Sequence, residues 1–286
     1  MTFSPDKNIP DLAGKVIIVT GGNSGLGKES IIQLGKHSPQ EIIMAARSEG
    51  KALEAIREIE AEVPGIKLSF LPLDLSSFDS VKKAAASVIQ RYDRLDILLN
   101  NAGLMGVPPS LTEDGYEMIF GSNHMGPALF TKLLLPLLEK TSKLPGSDVR
   151  VVQLSSDAHQ FAPTEGILFS SLKTTQADVH GRARYGQSKL ANMYYIKSLA
   201  KRYPDIKCVA VHQWLFKILI RLFFTDVHKG ALNQLWAAAG PSSEFESGAY
   251  YVPLKKKVTG NKAVDNDELA EKLWDWTEKE FSTYGL

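Results

Sequence analysis

The chain has almost no cysteine. Cys208 is the single thiol in 286 residues, so no internal disulfide can form and a reducing compartment is the natural home. Charge of either sign is not in excess either. The 33 Lys and Arg stand against 32 Asp and Glu, a formal net charge of +1, which gives no reason to expect nucleic acid or an anionic membrane as a partner. Runs of like charge are short, and Lys255-Lys256-Lys257 reads as a solvated surface loop. Met1 to Pro10 lacks the apolar stretch of a secretory signal and Tyr284-Gly285-Leu286 is not a recognisable address, so the expectation is a soluble cytoplasmic protein. Repeats, low-complexity tracts and breaks in composition are missing, which predicts one domain over residues 1–286.

Long hydrophobic runs are scarce as well. The strongest, Trp214 to Phe224, is apolar except for Lys217 and Arg221 and is shorter than the roughly 20 residues that span a bilayer. Its two charges lie a helical turn apart, which suits an amphipathic cover for a cleft or a buried helix; an interfacial membrane foot is the other reading.

What the chain does have is alternation. β-Branched and apolar runs at Val16–Thr20, Glu41–Ala46, Lys67–Leu73, Leu95–Asn100, Val149–Ser155 and Lys207–His212 are separated by helical patterns at Gly25–Lys36, Lys51–Glu62, Phe78–Tyr92, Gly115–Lys140 and Ala183–Tyr203. A further helix is expected over Asp265–Phe281. Such an order predicts an α/β fold of three layers: a doubly wound, Rossmann-type parallel sheet with helices on both faces.

Directly after the first strand come Thr20-Gly21-Gly22-Asn23-Ser24-Gly25-Leu26-Gly27, at the start of a helical pattern. Glycines let the backbone approach a pyrophosphate, and the free N–H groups of a helix N-terminus attract it. The second strand ends in Ala45-Ala46-Arg47-Ser48, where an acid would repel a 2′-phosphate and Arg47, with Lys28 nearby, would welcome one. NADP(H) is therefore the expected cofactor. Asp74, followed by Leu75, closes the third strand, where its carboxylate could accept from an adenine amine. Asn100-Asn101-Ala102-Gly103 closes the fourth with side chains small enough to admit a ribose and amides to bond it.

Tyr185-Gly186-Gln187-Ser188-Lys189 offers a phenol and an ammonium one helical turn apart. The same spacing recurs at Tyr203 to Lys207 and at Tyr251 to Lys255, but Pro204 and Pro253 interrupt those pairs. At about 4 Å and an effective dielectric of ~20, a lysine charge favours phenolate by roughly 4 kcal/mol, enough to draw a phenol toward working pH.

In this order, TGGNSGLG, NNAG, the serine of VVQLSSDAH and YGQSK resemble the short-chain dehydrogenase/reductase family. SNHMGPALFTKLLLPLL, YGQSKLAN and AEKLWDWTEK look closest to its retinol dehydrogenase-like and fungal carbonyl reductase branch. The resemblance implies a cofactor half at about 15–155 and a catalytic and substrate part at about 156–286. It also implies a catalytic tetrad. Tyr185 exchanges a proton with the substrate oxygen, Lys189 depresses its pKa and holds the nicotinamide ribose, Ser156 bonds the substrate oxygen, and Asn123 helps organise a water linking Lys189 to solvent. Ser155 and Ser156 alternate faces at a strand end, and the family pattern selects the second.

Two departures stand out. The interval from Ser156 to Tyr185 is longer than is common in the family, so Asp157–Gly181 reads as an insertion that could cover a dimerisation helix; a monomer or a homodimer is expected. His159 and His180 within it are expected at the surface rather than as ligands, with no metal-spacing cluster beside them. After the sixth strand the chain runs from Val211-His212-Gln213 into Trp214, without the Pro-Gly turn and threonine loop that cover the nicotinamide in the family. The expectation is an enzyme interconverting a moderately apolar carbonyl and its alcohol; the alternative is a catalytically silent dinucleotide-binding sensor.

Overall fold

Strand β1 (Val16–Thr20) is buried along its whole length, and its neighbours alternate between two cores. Val16 and Ile18 face one apolar cluster while Ile17 and Val19 face the other, the pattern a strand shows when helices cover both faces of its sheet. The structure, a computed structural model, describes residues 3–212 and 227–285. The 214–224 segment, with both readings given to it, and the departure beyond His212 lie outside the described residues.

The remaining strands are β2 (Glu41–Ala46), β3 (Leu68–Pro72), β4 (Ile97–Asn100), β5 (Arg150–Ser155), β6 (Lys207–His212), β7 (Tyr250–Val252) and β8 (Lys256–Lys257). They form an 8-stranded sheet in the order β3-β2-β1-β4-β5-β6-β7-β8, parallel throughout except for the antiparallel β7–β8 pair. Strand order reverses between β1 and β4, so a crevice opens at their carboxyl ends, where open α/β sheets bind ligands.

The helices are α1 (Pro5–Asn8), α2 (Gly25–Gly35), α3 (Glu49–Glu62), α4 (Phe78–Arg91), α5 (Met118–Phe120), α6 (Gly126–Ser142), α7 (Gly181–Arg202), α8 (Val227–Ala239) and α9 (Asp267–Thr283). One face of the sheet is covered by α4, α6, α7 and α9, which contribute Val81, Leu134, Ile196 and Leu273 among others. The other face is covered by α2, α3 and α8 through residues such as Ile31, Ile59 and Leu235.

Several elements differ from the sequence expectation. The single helix expected over 115–140 is broken: α5 runs into a π-helical segment, Gly121–Met125, before α6 begins. Pro127 has no N–H to donate to the Asn123 carbonyl four residues back, and the wider π turn forms there, with Gly126 N–H bonding to Gly121 O. Strands β7 and β8 were not expected, nor was α8. Lys255-Lys256-Lys257 is not a free loop: its last two residues form β8, and Lys255 and Lys257 each bond a glutamate, Glu244 and Glu246, at 2.5 Å.

Segment 157–181 packs as part of the core rather than flaring outward. Ile167 and Leu172 are buried in the cluster that α7 and α9 share, and Glu117 N–H bonds to Leu172 O at 2.8 Å. Gly186, next to Tyr185, makes the docking feasible: a Cβ there would stand 2.6 Å from Ala158 O and Ala162 N. Among the described residues no helix is long and apolar enough to cross a membrane.

Candidate active site

The crevice at the strand switch is a cleft of about 470 Å³, within the size range of cofactor sites. Gly21, Asn23, Ser24, Gly25, Leu26 and Gly27 form one wall, Arg47 with Asp74 and Leu75 the second, and Asn101, Ala102 and Gly103 the third. Gly22 and Asn100, which belong to the same two motifs, do not line it. Thr20, Ser76 and Ser122 also line it, from the end of β1, the turn after β3 and the π-helical segment.

The turn fits a pyrophosphate for reasons visible at single atoms. Gly21 and Gly25 have φ of +65° and +52°, the left-handed region that glycine tolerates. A Cβ on Gly27 would lie 2.3 Å from Gly21 O, so only glycine lets the first turn of α2 close against β1. Ser24, the N-cap of α2, makes no side-chain capping bond, which leaves its hydroxyl and the first N–H groups of the helix open to an anion.

Arg47 is exposed at the end of β2. The Lys28 ammonium bonds the Glu58 carboxylate. Asp74 Oδ1 accepts from the Ser76 N–H at 2.9 Å and from its hydroxyl at 2.6 Å, an Asx turn that keeps the carboxylate at the cleft. The amides of the fourth strand end do not wait for a ribose. Asn100 Nδ2 donates to Thr131 Oγ1 at 2.9 Å, and Asn101 Nδ2 donates to Thr20 O at 2.8 Å while its Oδ1 accepts from Gln234 at 3.2 Å. They fasten β4 to β1, α6 and α8, and their contribution to the cleft is shape.

Tyr185 and Lys189 lie on α7 and stand outside that lining, although Lys189 Nζ borders it: a Cβ on Gly103 would be 3.3 Å away. The end of β5 holds α7 in place. Ser155 Oγ donates to Lys189 O at 2.7 Å, and Lys189 Nζ and Asn192 Nδ2 donate to Leu154 O at 3.2 and 3.1 Å. Ser155 is thereby used up inside the core. Ser156 stands near the Tyr185 phenol; its Oγ donates to Asp157 Oδ1 at 3.1 Å and caps the following turn, accepting from Ala158 N–H at 3.2 Å. Asn123, at the centre of the π-helical segment, does not reach Lys189. Its Oδ1 accepts from Leu104 N–H at 2.6 Å and its Nδ2 donates to Leu104 O at 2.9 Å and to Ser188 Oγ at 3.1 Å.

Burial sets the electrostatics, and it opposes the expectation from spacing. Tyr185 is pushed up to about 12, mainly by burial, with the nearby Ser156 hydroxyl pulling the other way. Lys189, fully enclosed, is drawn down to about 8 by burial. The lysine was expected to lower the tyrosine, but its ammonium lies 5.5 Å from the phenol ring centroid and donates to a backbone carbonyl; desolvation of both groups outweighs their coupling. Around the phenol, Ile119 and Ala158 form a small apolar cluster with Val107 packed against it.

Beside Tyr185 lies an ion pair that the motifs do not announce. Arg184 Nη1 donates to Glu117 Oε1 at 2.8 Å, with both side chains buried. Arg184 Nη2 reaches Val107 O at 3.2 Å, and Glu117 Oε2 accepts from Phe120 N–H at 2.7 Å. One pair thus joins α7, the loop at Val107 and the helix leading to Asn123. His180 is exposed as expected and caps α7 by accepting from Arg182 N–H at 3.2 Å. His159 is not at the surface: it is buried, with Nδ1 2.7 Å from Ser156 O. Among the described residues no group of His, Cys, Asp and Glu is arranged to hold a metal ion.

The family model described as short chain dehydrogenase matches residues 15–175. A short-chain dehydrogenase/reductase of Aspergillus calidoustus is 38% identical over 95% of each chain. An uncharacterised oxidoreductase of Schizosaccharomyces pombe is 37% identical, covering 96% of this chain and 87% of its own. Among solved structures, an uncharacterised protein from Mycobacterium paratuberculosis superposes with a TM-score of 0.81 at 28% identity, over 98% of this chain and 97% of its own. NADPH-bound carbonyl reductase from chicken fatty liver shares the fold, with a TM-score of 0.68 at 22% identity over 91% and 99% of the two chains. The glycine turn, the switch-point cleft and the serine-tyrosine-lysine cluster stand within a matched family and a matched fold, and the chain belongs to the short-chain dehydrogenase/reductase family of oxidoreductases.

Proposed function

We propose that the protein is an NADP(H)-dependent oxidoreductase that interconverts a carbonyl and an alcohol by hydride transfer, with Tyr185 as the acid and base. The observation that carries this reading is the Tyr185 phenol beside Ser156, with Lys189 against the same ring and the glycine-turn cleft adjoining it. Arg47, exposed where a ribose phosphate would lie, supports NADP(H) over NAD(H). When bound, the nicotinamide supplies or accepts the hydride.

The chain's own residues do the rest. A tyrosine held at about 12 is protonated at neutral pH, the state that gives a proton to a carbonyl oxygen. Ser156 steadies the same oxygen as charge develops on it. Lys189 keeps a buried cation near the phenolate that is left behind. Asn123 fixes Leu104 and Ser188, and we assign it the water that connects Lys189 to solvent. Ile119, Ala158 and Val107 around the phenol favour an apolar substrate face. The single, buried Cys208 thiol suits a reducing cytoplasm.

NADPH oxidation measured with aldehydes, ketones and quinones tests the reading. Turnover of at least one carbonyl class is expected. Tight NADPH binding with no turnover of any of them would instead support the silent sensor.

A further inference from the structure

The peptide bond joining Ser156 to Asp157 is held at both of its polar atoms by histidine side chains. Its carbonyl oxygen lies 2.7 Å from His159 Nδ1, and its N–H donates to His212 Nδ1 over 3.0 Å. A carbonyl oxygen only accepts and an amide N–H only donates, so both tautomers follow. His159 carries its proton on Nδ1, and His212 carries its proton on Nε2. The other nitrogen of His159 is buried without a hydrogen-bond partner, as a bare lone pair in an apolar setting would be. Tyr250 backs the pair from β7: its ring meets His159 edge-on with centroids 5.6 Å apart, and its hydroxyl is 3.3 Å from His212 Nδ1.

The location gives the arrangement its meaning. Strand β5 ends at Ser155, whose ladder partner is His212, so the sheet stops one residue before Ser156. Beyond that point the ladder no longer orients the backbone; the Ser156 carbonyl accepts from the His159 backbone N–H at 3.2 Å as well as facing its imidazole, and the Asp157 N–H is bonded by His212. We propose that His159 and His212 are positioning residues that clamp the Ser156–Asp157 peptide and thereby aim the Ser156 hydroxyl at the oxygen Tyr185 protonates. The proposal rests on the role given to Ser156 above.

The clamp responds to acid on one side only. Protonating His159 adds a proton at Nε2 and leaves its Nδ1–H on the carbonyl; protonating His212 puts a proton on Nδ1, against the Asp157 N–H, and opens the clamp. The groups facing His212 are Asp157 and His159 from the turn after β5 and Tyr250 from β7, while α8 presents the neutral Asn233, 3.5 Å from the His212 carbonyl. Burial first, then His159, holds His212 below its ordinary 6.5, against the pull of Asp157. Activity is therefore full at neutral pH and falls on the acid side as His212 takes up its proton.

Nitrogen-15 NMR of the imidazoles and a small variant set test the proposal. At pH 7 the wild type is expected to show protonated Nδ1 for His159 and protonated Nε2 for His212. His159→Asn and His212→Asn keep a donor and an acceptor near the Nδ1 positions, whereas the leucine variants keep neither. We expect the asparagine variants within about 3-fold of wild-type kcat and the leucine variants about 10-fold to 100-fold below it, with NADPH affinity unchanged. His212→Asn should also lose the acid limb of the kcat profile. Reversed tautomers, or leucine variants that stay folded by thermal melting and match wild-type kcat, would overturn the proposal. A wild type with the expected tautomers but no turnover would remove the positioning role together with the enzymatic reading, and the spectra would distinguish that outcome from an absent clamp.

Discussion

The Lys189 ammonium lies 5.5 Å from the centroid of the Tyr185 ring, on the same side of α7 and completely shielded from water. A buried cation beside a buried phenol is costly before anything binds, and both groups respond by resisting charge: the phenol is pushed up to about 12 and the amine drawn down to about 8.

That cost is measurable as stability. Between about 8 and 10.5, Lys189 is neutral in the folded protein while an unfolded lysine is still protonated. The unfolded state then binds more protons, so the contribution of Lys189 becomes more favourable as pH rises through this window. Tyr185 acts oppositely above 10, where the unfolded phenol ionises and the folded one does not. The urea midpoint of wild type minus that of Lys189→Met should therefore rise between pH 8 and 10. A flat difference would show that burial does not depress Lys189.

Replacing Gly27 by alanine should destroy the pyrophosphate cradle. The new Cβ would stand 2.3 Å from Gly21 O and 2.6 Å from Asn101 Nδ2, both fixed parts of the core. We expect a loss of about 1–3 kcal/mol in stability, seen by thermal melting, together with loss of NADPH binding in a fluorescence titration.

Arg47→Glu should reverse cofactor preference. Arg47 is exposed and lines the cleft, so the change leaves the fold alone and places a carboxylate where a 2′-phosphate would sit. The ratio of NADPH to NADH affinity is expected to fall by at least about 10-fold, or about 1.4 kcal/mol. An unchanged ratio would show that Arg47 does not meet the phosphate.

The Arg184 and Glu117 pair invites a double-mutant cycle. Arg184→Met strands a carboxylate that is 0% exposed and should cost about 3–5 kcal/mol, whereas Arg184→Met with Glu117→Leu should cost markedly less. Urea unfolding of the two variants checks the order.

Much of this was legible in the chain itself. Strands β1, β2 and β6 fall on the residues that their β-branched and apolar runs mark, because a strand covered on both faces leaves an uninterrupted apolar signature. Strand β7 has only Tyr250 to Val252, too few residues to show a period. Helix α8 is buried nearly all round, from Ala231 to Ala239, so it lacks the polar stripe by which a helix is recognised. In the site, TGGNSGLG and NNAG lead directly to the cleft. The pairing of Lys28 with Glu58, the burial that lifts Tyr185 and the approach of His212 to the Asp157 N–H were hidden, because each depends on a partner far along the chain that only the fold brings near.

The central claim is that the Tyr185 hydroxyl carries the proton for carbonyl reduction. Tyr185→Phe removes one oxygen atom from a well-packed ring, so steady-state kcat and NADPH affinity measured side by side on wild type and variant test it most directly. The account predicts unchanged NADPH affinity with kcat lowered by about 100-fold to 10,000-fold. A variant that binds NADPH and reduces the same carbonyl at the wild-type rate would contradict it.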